Sequence, residues 1–363
     1  MYRIPSMTEI ARIPWNGFNV VSTFSGAGGS CLGYRLAGYH VVWANEFLPA
    51  AQETYRANHP DTFLNCENIR DVTAEDIIRE SGIPQGQIDL FDGSPPCASF
   101  SMAGARERHW GETKKYSDTV ERTDDLFLEY IRLLRGLQPK TFVAENVAGL
   151  ARGTAKGYFK MFLREMAKAG YEVQASLINA KYLGVPQSRE RIIFVGVRQD
   201  LVERYGVHPV FPKPQSHIVT LAEAIRGVRN DPVELKALRA ELTPRVAIGR
   251  YLRRLPKNPP KNLSYSNFTG QAKCFNLIRC SFHQPVPTLT QRAGYKRAGG
   301  PCHPLEDRRF TTAEIRRIQS FPDDFILTGN YGQQWERVAR SVPPLMMKAI
   351  AKRIEEEILC KLV

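Results

Sequence analysis

One of the seven cysteines stands in a setting that favours nucleophilic chemistry. Cys97 ends the run Asp92-Gly-Ser-Pro-Pro-Cys, which follows a short apolar segment, Ile88 to Phe91, and is stiffened by glycine and proline. Loops at the carboxyl edge of a parallel sheet lie where such sheets bind their ligands. A thiol held there is a candidate nucleophile, although a lone cysteine is by default a small buried apolar residue and no base or cation adjoins Cys97 in the sequence.

A glycine-rich turn near the amino terminus is suited to binding a cofactor. It follows a short apolar run and comprises Phe24, Ser25, Gly26, Ala27, Gly28 and Gly29. Glycines let the backbone approach a ligand closely, and a following helix presents free N–H groups. Glu46, about 20 residues downstream, is placed to accept hydrogen bonds from ribose hydroxyls, and Phe24 and Phe47 can flank an adenine. Cys31 replaces the third glycine of a dinucleotide fingerprint, so a nucleoside cofactor without a pyrophosphate, such as S-adenosylmethionine, is equally compatible.

A carboxylate and two arginines fall at the ends of two further strand candidates. Glu145-Asn146-Val147 ends one of them, and Gln187-Ser188-Arg189-Glu190-Arg191 precedes the next. Each residue alone is most simply a surface ion pair. A thiol, a carboxylate and guanidinium groups that meet at one sheet edge indicate a reaction site instead.

The elements that position these residues alternate between strand and helix. Strands are predicted at Asn19 to Phe24, His40 to Asn45, Ile88 to Phe91, Thr141 to Ala144, Val173 to Ile178 and Ile192 to Val197. Helices are predicted between them, for example where Leu126, Tyr130, Ile131, Leu134 and Leu137 line one face. This alternation predicts an α/β fold with a parallel sheet covered on both faces.

The second half of the chain has a different character. From about residue 200 it breaks into short segments rich in Pro, Gly, Arg and Asn, and a helix over residues 341–359 ends the chain. The formal charge is +13, and residues 201–310, with 19 basic and 7 acidic side chains, account for nearly all of it. Such segregation indicates a nucleic-acid-binding face rather than charges scattered for solubility. Lys273, Arg279, Arg292, Lys296 and Arg297, with Tyr265, Phe268, Phe275, Phe282 and Tyr295 between them, are candidates for phosphate and base contacts.

Composition also excludes some classes of protein. No apolar run is long enough for a membrane span, and residues 1–18 contain no apolar stretch of the signal-peptide kind. The odd, scattered cysteines are typical of reduced thiols, so we expect a cytoplasmic protein that does not act at a membrane, nucleoid-associated if the host is bacterial. Cys274, Cys280, His283, Cys302 and His303 lack a tight Cys-x2-Cys pair, and we assign no metal site.

The ordered motifs resemble those of the DNA (cytosine-5) methyltransferases. The resemblance runs over nearly the whole chain: the Phe24 to Gly29 turn, Glu46, Pro95-Pro96-Cys97, Glu145-Asn146-Val147, Gln187-x-Arg189-x-Arg191, and Arg309-Phe310-Thr311 through Phe321-Pro322-Asp323. It implies a mostly parallel, Rossmann-like methyltransferase sheet with a second, smaller and irregular target-recognition domain. The implied division is an extension at residues 1–18, a catalytic domain at 19–200, a basic target-recognition domain at 201–310, and a hinge with a returning helix at 311–363.

The resemblance assigns a role to each motif. It implies methyl transfer from S-adenosylmethionine, which becomes S-adenosylhomocysteine, to C5 of a flipped-out cytosine in a specific double-stranded DNA sequence, through a covalent adduct between Cys97 and C6. Glu145 would contact the pyrimidine N3 and amino group, Arg191 would contact O2, and Arg189 would support the loop. Besides the turn residues, the implied cofactor contacts are Glu46, Phe47, Asn68 and Ile69.

Some residues depart from the family pattern. Ser22 and Asn68 stand where the family usually has Asp, Ala98 where it has Gln, and Ala339-Arg340 where it has Gly-Asn. Ser22, Asn68 and Ala339-Arg340 belong to the cofactor side in the family, so these departures predict an altered affinity for the methyl donor. Two alternatives therefore remain: an RNA (tRNA) cytosine-5 methyltransferase, and a DNA-binding protein with an inactive cofactor site.

Further expectations concern a lid and partners. Residues 101–122 are polar without an apolar period, and loops of this length are often lids, so we expect a mobile lid with Cys97 at its root. The expected partner is double-stranded DNA. A monomer is the default expectation, and a cognate restriction endonuclease is a possible separate partner protein.

Overall fold

The computed structural model describes residues 2–96, 114–116, 119–121, 125–152, 155–271, 274–295 and 299–362. The chain divides into two compact units. The large-sheet unit comprises residues 12–178, 190–213 and 347–363, and the small-sheet unit comprises residues 1–11, 179–189 and 214–346. The functional boundaries expected from the sequence, at 18, 200 and 310, stay predictions.

The large-sheet unit is built on a seven-stranded sheet with the order β3-β2-β1-β4-β7-β10-β8. Its strands are β1 (Asn19–Thr23), β2 (His40–Asn45), β3 (Phe63–Asn65), β4 (Leu90–Gly93), β7 (Thr141–Val147), β8 (Tyr171–Asn179) and β10 (Glu190–Arg198). Its helices are α2 (Gly29–Leu36), α3 (Pro49–Asn58), α4 (Ala74–Ser81), α5 (Leu126–Leu137), α6 (Lys156–Lys168), α7 (Gln199–Tyr205) and most of α14 (Pro344–Glu357). A short antiparallel pair, β5 (Lys114–Tyr116) and β6 (Thr119–Glu121), lies in the same unit.

Strand directions bring the chemical motifs to one edge. β1 pairs in parallel with β2 and β4, and β4 pairs in parallel with β7, so the carboxyl ends of these strands meet at the same edge. β10 runs antiparallel to β7, so the amino end of β10 lies at that edge as well. The predicted α/β class and mostly parallel sheet are confirmed, and β3, α3 and α4 were not predicted.

Aromatic side chains fill the core between this sheet and its helices. Phe127 of α5 stacks on Phe162 of α6 with ring centroids 3.9 Å apart, and Phe91 of β4 stacks on Tyr130 at 4.7 Å. All four side chains are buried. The apolar faces that predicted α5 and α6 therefore pack together, as the helical periodicity requires.

The small-sheet unit consists of short elements. Its strands are β9 (Gln187–Ser188), β11 (Leu263–Ser264), β12 (Ile278–Arg279), β13 (Val286–Pro287) and β14 (Pro301–Cys302), in sheets ordered β11-β12-β14 and β13-β9. Its helices are α1 (Met7–Ala11), α8 (Leu221–Ala224), α9 (Pro232–Glu241), α10 (Ala247–Arg254), α11 (Tyr265–Thr269), α12 (Thr312–Ile318) and α13 (Tyr331–Arg340). Single helical turns occur at Ala180–Leu183 and Gln291–Gly294 in this unit, and at Ala148–Ala151 and Leu359–Lys361 in the large-sheet unit. Within the described residues of both units, every helix is too short or too polar to cross a bilayer.

Candidate active site

The glycine-rich turn after β1 has a backbone that only glycine adopts easily. Gly26 and Gly28 have φ angles of +56° and +85°, and Phe24 lies in the same left-handed region at +54°. A side chain at position 28 would place its Cβ 2.2 Å from Nε2 of the buried His59, so Gly28 is required by both conformation and space. Burial lowers the pKa of His59 to about 3, which keeps the ring behind the turn neutral.

Glu46, directly after β2, is anchored against this turn. Its Oε2 accepts a hydrogen bond from the Gly26 N–H at 2.9 Å, and its Oε1 accepts one from the Leu48 N–H at 2.8 Å. The side chain is buried. These two bonds fix the carboxylate at the edge of the turn, where the sequence predicts a contact with ribose hydroxyls.

Two asparagines organise the neighbouring segments. The Ser25 N–H donates to the Asn45 carbonyl at 3.0 Å, and Asn45 Nδ2 donates to Asn65 Oδ1 at 3.0 Å and to the Glu67 carbonyl at 2.9 Å. This ties the turn and the end of β3 to β2. The sequence analysis missed both residues: Asn45 could have been noticed as a polar residue at the end of the predicted strand His40 to Asn45, whereas Asn65 ends β3, which was not predicted.

The remaining predicted cofactor residues lie in the same unit. Ile69 is buried, and Phe24, Phe47 and Asn68 are half-buried. Asn68 Oδ1 accepts a hydrogen bond from the Arg70 N–H at 3.2 Å. The arginine side chain forms an ion pair with Asp125 at 2.7 Å, which fixes the segment next to α5.

The loop toward the predicted nucleophile leaves β4 at the same edge. Ser94 Oγ donates to the Phe24 carbonyl at 3.3 Å, and Asn146 Nδ2 donates to the Pro95 carbonyl at 3.2 Å. These bonds fix the root of the loop between β1 and β7. Cys97 itself, Ala98 and most of the predicted lid at 101–122 lie outside the described residues.

Glu145 and Arg191 form an ion pair at this edge. Arg191 Nε lies 2.7 Å from Glu145 Oε1, and both side chains are largely buried. Glu145 belongs to β7 and Arg191 to the amino end of β10, so the antiparallel pairing of these strands brings them together. An acid and a guanidinium group held side by side can contact adjacent atoms of one planar ligand.

Arg189 has different surroundings, within the small-sheet unit. Its side chain is 2% exposed, and Nη1 donates to the Ala339 carbonyl at 2.9 Å. Nη2 lies 3.5 Å from the Arg340 carbonyl. The Arg340 side chain bends back to Glu336, with Nε 2.9 Å from Oε1, so this departure from the family pattern is held by an ion pair within α13.

Ser22, another departure, lies opposite a carboxyl group. β1 and β4 are in register at Ser22 and Asp92, and Ser22 Oγ donates to Asp92 Oδ2 at 2.9 Å. Tyr34 donates to Oδ1 of the same group at 3.0 Å. The sequence analysis did not single out Asp92, because its partners come from other elements.

The aromatic and basic set predicted to contact nucleic acid separates into buried and exposed members. The predictions for Arg279 and Tyr265 are wrong, because both are buried: Arg279 donates to the Leu252 carbonyl at 2.8 Å and pairs with Asp307 at 2.7 Å. Phe275 is 66% exposed and Phe268 47% exposed. Tyr295 and Arg292 are also exposed and Phe282 is half-buried, while Lys273, Lys296 and Arg297 lie outside the described residues.

The cysteines and histidines of the small-sheet unit form no recognisable metal centre. Across the described parts of both units, no cluster of three or more His, Cys, Asp or Glu side chains is arranged to hold a metal ion. Burial raises the pKa of Cys302 to about 12, so this thiol is protonated at neutral pH.

Sequence comparisons relate the chain to DNA methyltransferases. A sequence model described as C-5 cytosine-specific DNA methylase matches residues 18–356. The chain is 32% identical to the type II methyltransferase M.Sau96I of Staphylococcus aureus, over 97% of this chain and 79% of that protein. It is 31% identical to M.PspPI of Psychrobacter sp. (strain TA137), over 95% of this chain and 81% of that protein.

Solved structures share the fold. A prophage-encoded protein from E. coli, described as a DNA modification methyltransferase, superimposes with a TM-score of 0.71 at 22% identity, covering 94% of this chain and 99% of the other. A triple mutant of Spodoptera frugiperda DNMT2 gives a TM-score of 0.63 at 20% identity, covering 93% and 99%.

Proposed function

The chain belongs to the C-5 cytosine-specific DNA methylase family, and from this premise we propose that it methylates C5 of a flipped-out cytosine within a specific sequence of duplex DNA, using S-adenosylmethionine. The observation that carries the proposal is the Glu145–Arg191 pair, 2.7 Å apart, at the sheet edge where the glycine-rich turn and the loop toward Cys97 also begin. A nucleophile, an acid and a cation at one edge are the groups that pyrimidine activation requires.

The residues at the turn fit the methyl donor. The space beside Gly26 is open, so a ligand can approach its backbone closely, and the Glu46 carboxylate proposed to accept from ribose hydroxyls is fixed by the Gly26 N–H. Phe24, Ser25, Ala27, Gly29, Phe47, Asn68 and Ile69 complete the proposed site. Cys31 is buried in α2 where a pyrophosphate-binding turn would have glycine, which favours a nucleoside without phosphates. When bound, the sulfonium group supplies an electrophilic methyl group and leaves as S-adenosylhomocysteine.

Cys97 starts the proposed reaction. C5 of cytosine is a weak nucleophile. The lone pair of the Cys97 thiolate would form a C–S bond to C6, and the displaced C5–C6 π pair would shift into the ring, which makes C5 nucleophilic and places negative charge at N3 and O2. Glu145, once protonated, would donate a hydrogen bond or its proton to N3 as negative charge develops there, and Arg191 would stabilise the charge at O2. C5 would then bond to the methyl group as the bond from that group to the sulfonium sulfur breaks. A base takes the C5 proton, the C5–C6 double bond re-forms, the C–S electrons return to the thiolate, and N3 returns any proton it received to Glu145.

The base must leave the helix for this reaction. C6 is attacked perpendicular to the ring plane, which stacked neighbours block, so we propose base flipping at a cost of a few kcal/mol. The segment 101–122 is the proposed lid over the flipped base. Arg189 is proposed as a positioning residue that holds its loop by its bonds to the carbonyls of α13.

The basic region at 201–310 is the proposed target-recognition domain. Among the described residues of the predicted contact set, Phe275, Phe268, Tyr295 and Arg292 are exposed, whereas Arg279 is buried and bonded inside the unit. Exposed aromatic side chains among cations suit contact with base edges and unstacked bases. A monomer and a separate cognate restriction endonuclease stay predictions, the latter favoured by the type II names of the relatives.

A labelling experiment tests the proposed function. The protein is incubated with S-adenosylmethionine labelled in its methyl group and with unmethylated duplex DNA of mixed sequence or with transfer RNA. We expect label in DNA as 5-methylcytosine, its loss in Cys97→Ser, and its retention in the matched control Cys360→Ser, at an exposed cysteine. Label in transfer RNA alone would establish an RNA methyltransferase, and label in neither would favour a DNA-binding protein with an inactive site.

A further inference from the structure

Asp92 is a buried carboxyl group that the proposed mechanism does not use. It lies in β4, is 2% exposed, and accepts hydrogen bonds from Ser22 Oγ at 2.9 Å and Tyr34 Oη at 3.0 Å. Ser30 of α2 is a third donor. Among the described residues, no lysine, arginine or histidine pairs with it. A buried carboxyl group without a nearby cation lowers the stability of a fold, so the presence of Asp92 here suggests a functional role.

The two loops at the sheet edge are joined around this residue. Thr23 Oγ1 donates to the Asp92 carbonyl at 3.1 Å, and Ser25 Oγ donates to Ser22 Oγ at 3.1 Å. Ser94, two residues beyond Asp92, holds the carbonyl of Phe24, whose backbone is in the strained left-handed region. The bonds between the cofactor turn and the loop toward Cys97 therefore start at Asp92 or within two residues of it.

We propose that Asp92 is a positioning residue that couples the two loops, because its carboxyl group fixes Ser22 and Tyr34 behind the cofactor turn while its own strand begins the loop that leads to Cys97. This inference rests on the proposed function. An ionised carboxylate accepts from every hydroxyl around it, whereas an asparagine would turn a donor toward one of them. The coupling therefore depends on charge as well as on shape.

The protonation state of Asp92 adds a pH dependence. Burial, followed by the negative charge of Glu145, raises the pKa of Asp92 to about 7, although the Ser22 and Tyr34 hydrogen bonds oppose the shift. The titratable groups that face it are Tyr34 and Cys31 of α2, Tyr130 of α5 and Glu145 of β7. A proton on Asp92 removes an acceptor from the network, so we expect cofactor affinity to fall as pH falls through about 7.

The expected size follows from the ionised fraction. At pH 6 roughly a tenth of the Asp92 groups remain ionised for a pKa of about 7. If only that form holds the turn in its binding geometry, the apparent Kd rises by up to about tenfold between pH 8 and pH 6.

Calorimetric titration with S-adenosylhomocysteine from pH 6 to pH 8.5 tests the inference without requiring catalysis. We expect Asp92→Asn to weaken binding about tenfold at pH 8 and to abolish the pH dependence near 7. Asp89→Asn is the matched control, since Asp89 is also a buried aspartate close by on the same segment but pairs with Lys140 at 2.7 Å. It should leave the pH dependence of the Kd unchanged.

An exchange of residues across the strand pair gives a sharper test. Ser22→Asp alone places two carboxyl groups opposite each other and should lose more affinity than Asp92→Asn. The double variant Ser22→Asp/Asp92→Ser moves the carboxyl group across the register pair, and we expect it to recover binding to within about threefold of the wild type.

Tyr34→Phe keeps the inference testable if Asp92→Asn does not fold. This variant removes one hydrogen bond from the ionised form, so the pH midpoint of cofactor binding should rise. The inference is wrong if Asp92→Asn keeps the wild-type Kd and its pH dependence, if Tyr34→Phe leaves the pH midpoint unchanged, or if Asp89→Asn loses as much affinity as Asp92→Asn. Each of these outcomes would leave the proposed function standing. A wild-type protein that binds neither S-adenosylhomocysteine nor S-adenosylmethionine would overturn both.

Discussion

Replacing Asp92 by asparagine should change how the stability of the protein depends on pH. Burial raises the pKa of this carboxyl group from 3.8 to about 7 in the folded protein. Between these two values the folded state holds a proton that the unfolded state has released, so raising the pH favours unfolding. The stability that protonated Asp92 contributes is fully present below 3.8, the pKa in the unfolded state, and is lost as pH rises through about 7, the pKa in the folded state.

The magnitude follows from the two pKa values. The difference between a pKa of 3.8 in the unfolded state and about 7 in the folded state corresponds to about 4 kcal/mol in full, of which about 2.5 kcal/mol falls between pH 5 and pH 8. The asparagine variant has no titrating group at this position. The wild type should therefore lose about 2.5 kcal/mol of unfolding free energy relative to Asp92→Asn over this range.

Urea unfolding at fixed ionic strength, followed by circular dichroism at several pH values, measures this difference. Asp200→Asn is the control, because Arg198 lowers the pKa of Asp200 and its carboxylate is ionised in both states above pH 5. The difference in free energy of unfolding between Asp200→Asn and the wild type should not depend on pH between pH 5 and pH 8. A wild type and an Asp92→Asn variant whose free energies of unfolding differ by a constant would refute the reasoning.

Three further substitutions test other parts of the site. Glu145→Gln should reduce the rate of methyl transfer about 10²- to 10⁴-fold in single-turnover assays, because the carboxyl group acts on the cytosine ring. The Kd for S-adenosylhomocysteine should change less than threefold. A loss of cofactor affinity as large as the loss of rate would contradict this role. Phe275→Ala should weaken binding to target duplex by about 1 to 3 kcal/mol in a fluorescence titration, and Phe63→Ala, at an exposed phenylalanine of the large-sheet unit, should not. Gly28→Ala should lower the free energy of unfolding by about 1 kcal/mol or more and weaken cofactor binding at least tenfold, because the added Cβ meets His59 and the φ angle is positive. The double variant Gly28→Ala/His59→Ala should recover part of the stability and part of the affinity. If neither recovers, the contact with His59 is not the cause of the loss.

Much of the fold followed from local patterns. Strands such as Asn19–Thr23 and Thr141–Val147 are short apolar runs between turn residues, and α5 and α6 have clear apolar faces. β3 has three residues and an exposed phenylalanine, so it lacks the signal of a buried strand. The antiparallel direction of β10 depends on the path of the chain between sheet positions, which periodicity does not encode.

The site was predictable only in part, for a related reason. Glu46 could be located because it follows a strand at a characteristic distance from a glycine turn. Asp92 could not, since its significance comes from Ser22 and Tyr34, which are 70 and 58 residues away in the chain. Arg279 shows the opposite error: a cation in a basic region predicts a phosphate contact, but burial against backbone carbonyls removes it from the surface.

Covalent trapping tests the central claim most directly. Duplex DNA synthesised with 5-fluorocytosine at every cytosine position is incubated with the protein and S-adenosylmethionine, because fluorine at C5 cannot leave as the proton does and the adduct persists. The account predicts a protein–DNA complex stable to denaturing electrophoresis, with peptide mapping that places the bond on Cys97 and no complex for Cys97→Ser. A complex of equal yield in Cys97→Ser, or a bond mapped to another residue, would contradict the account.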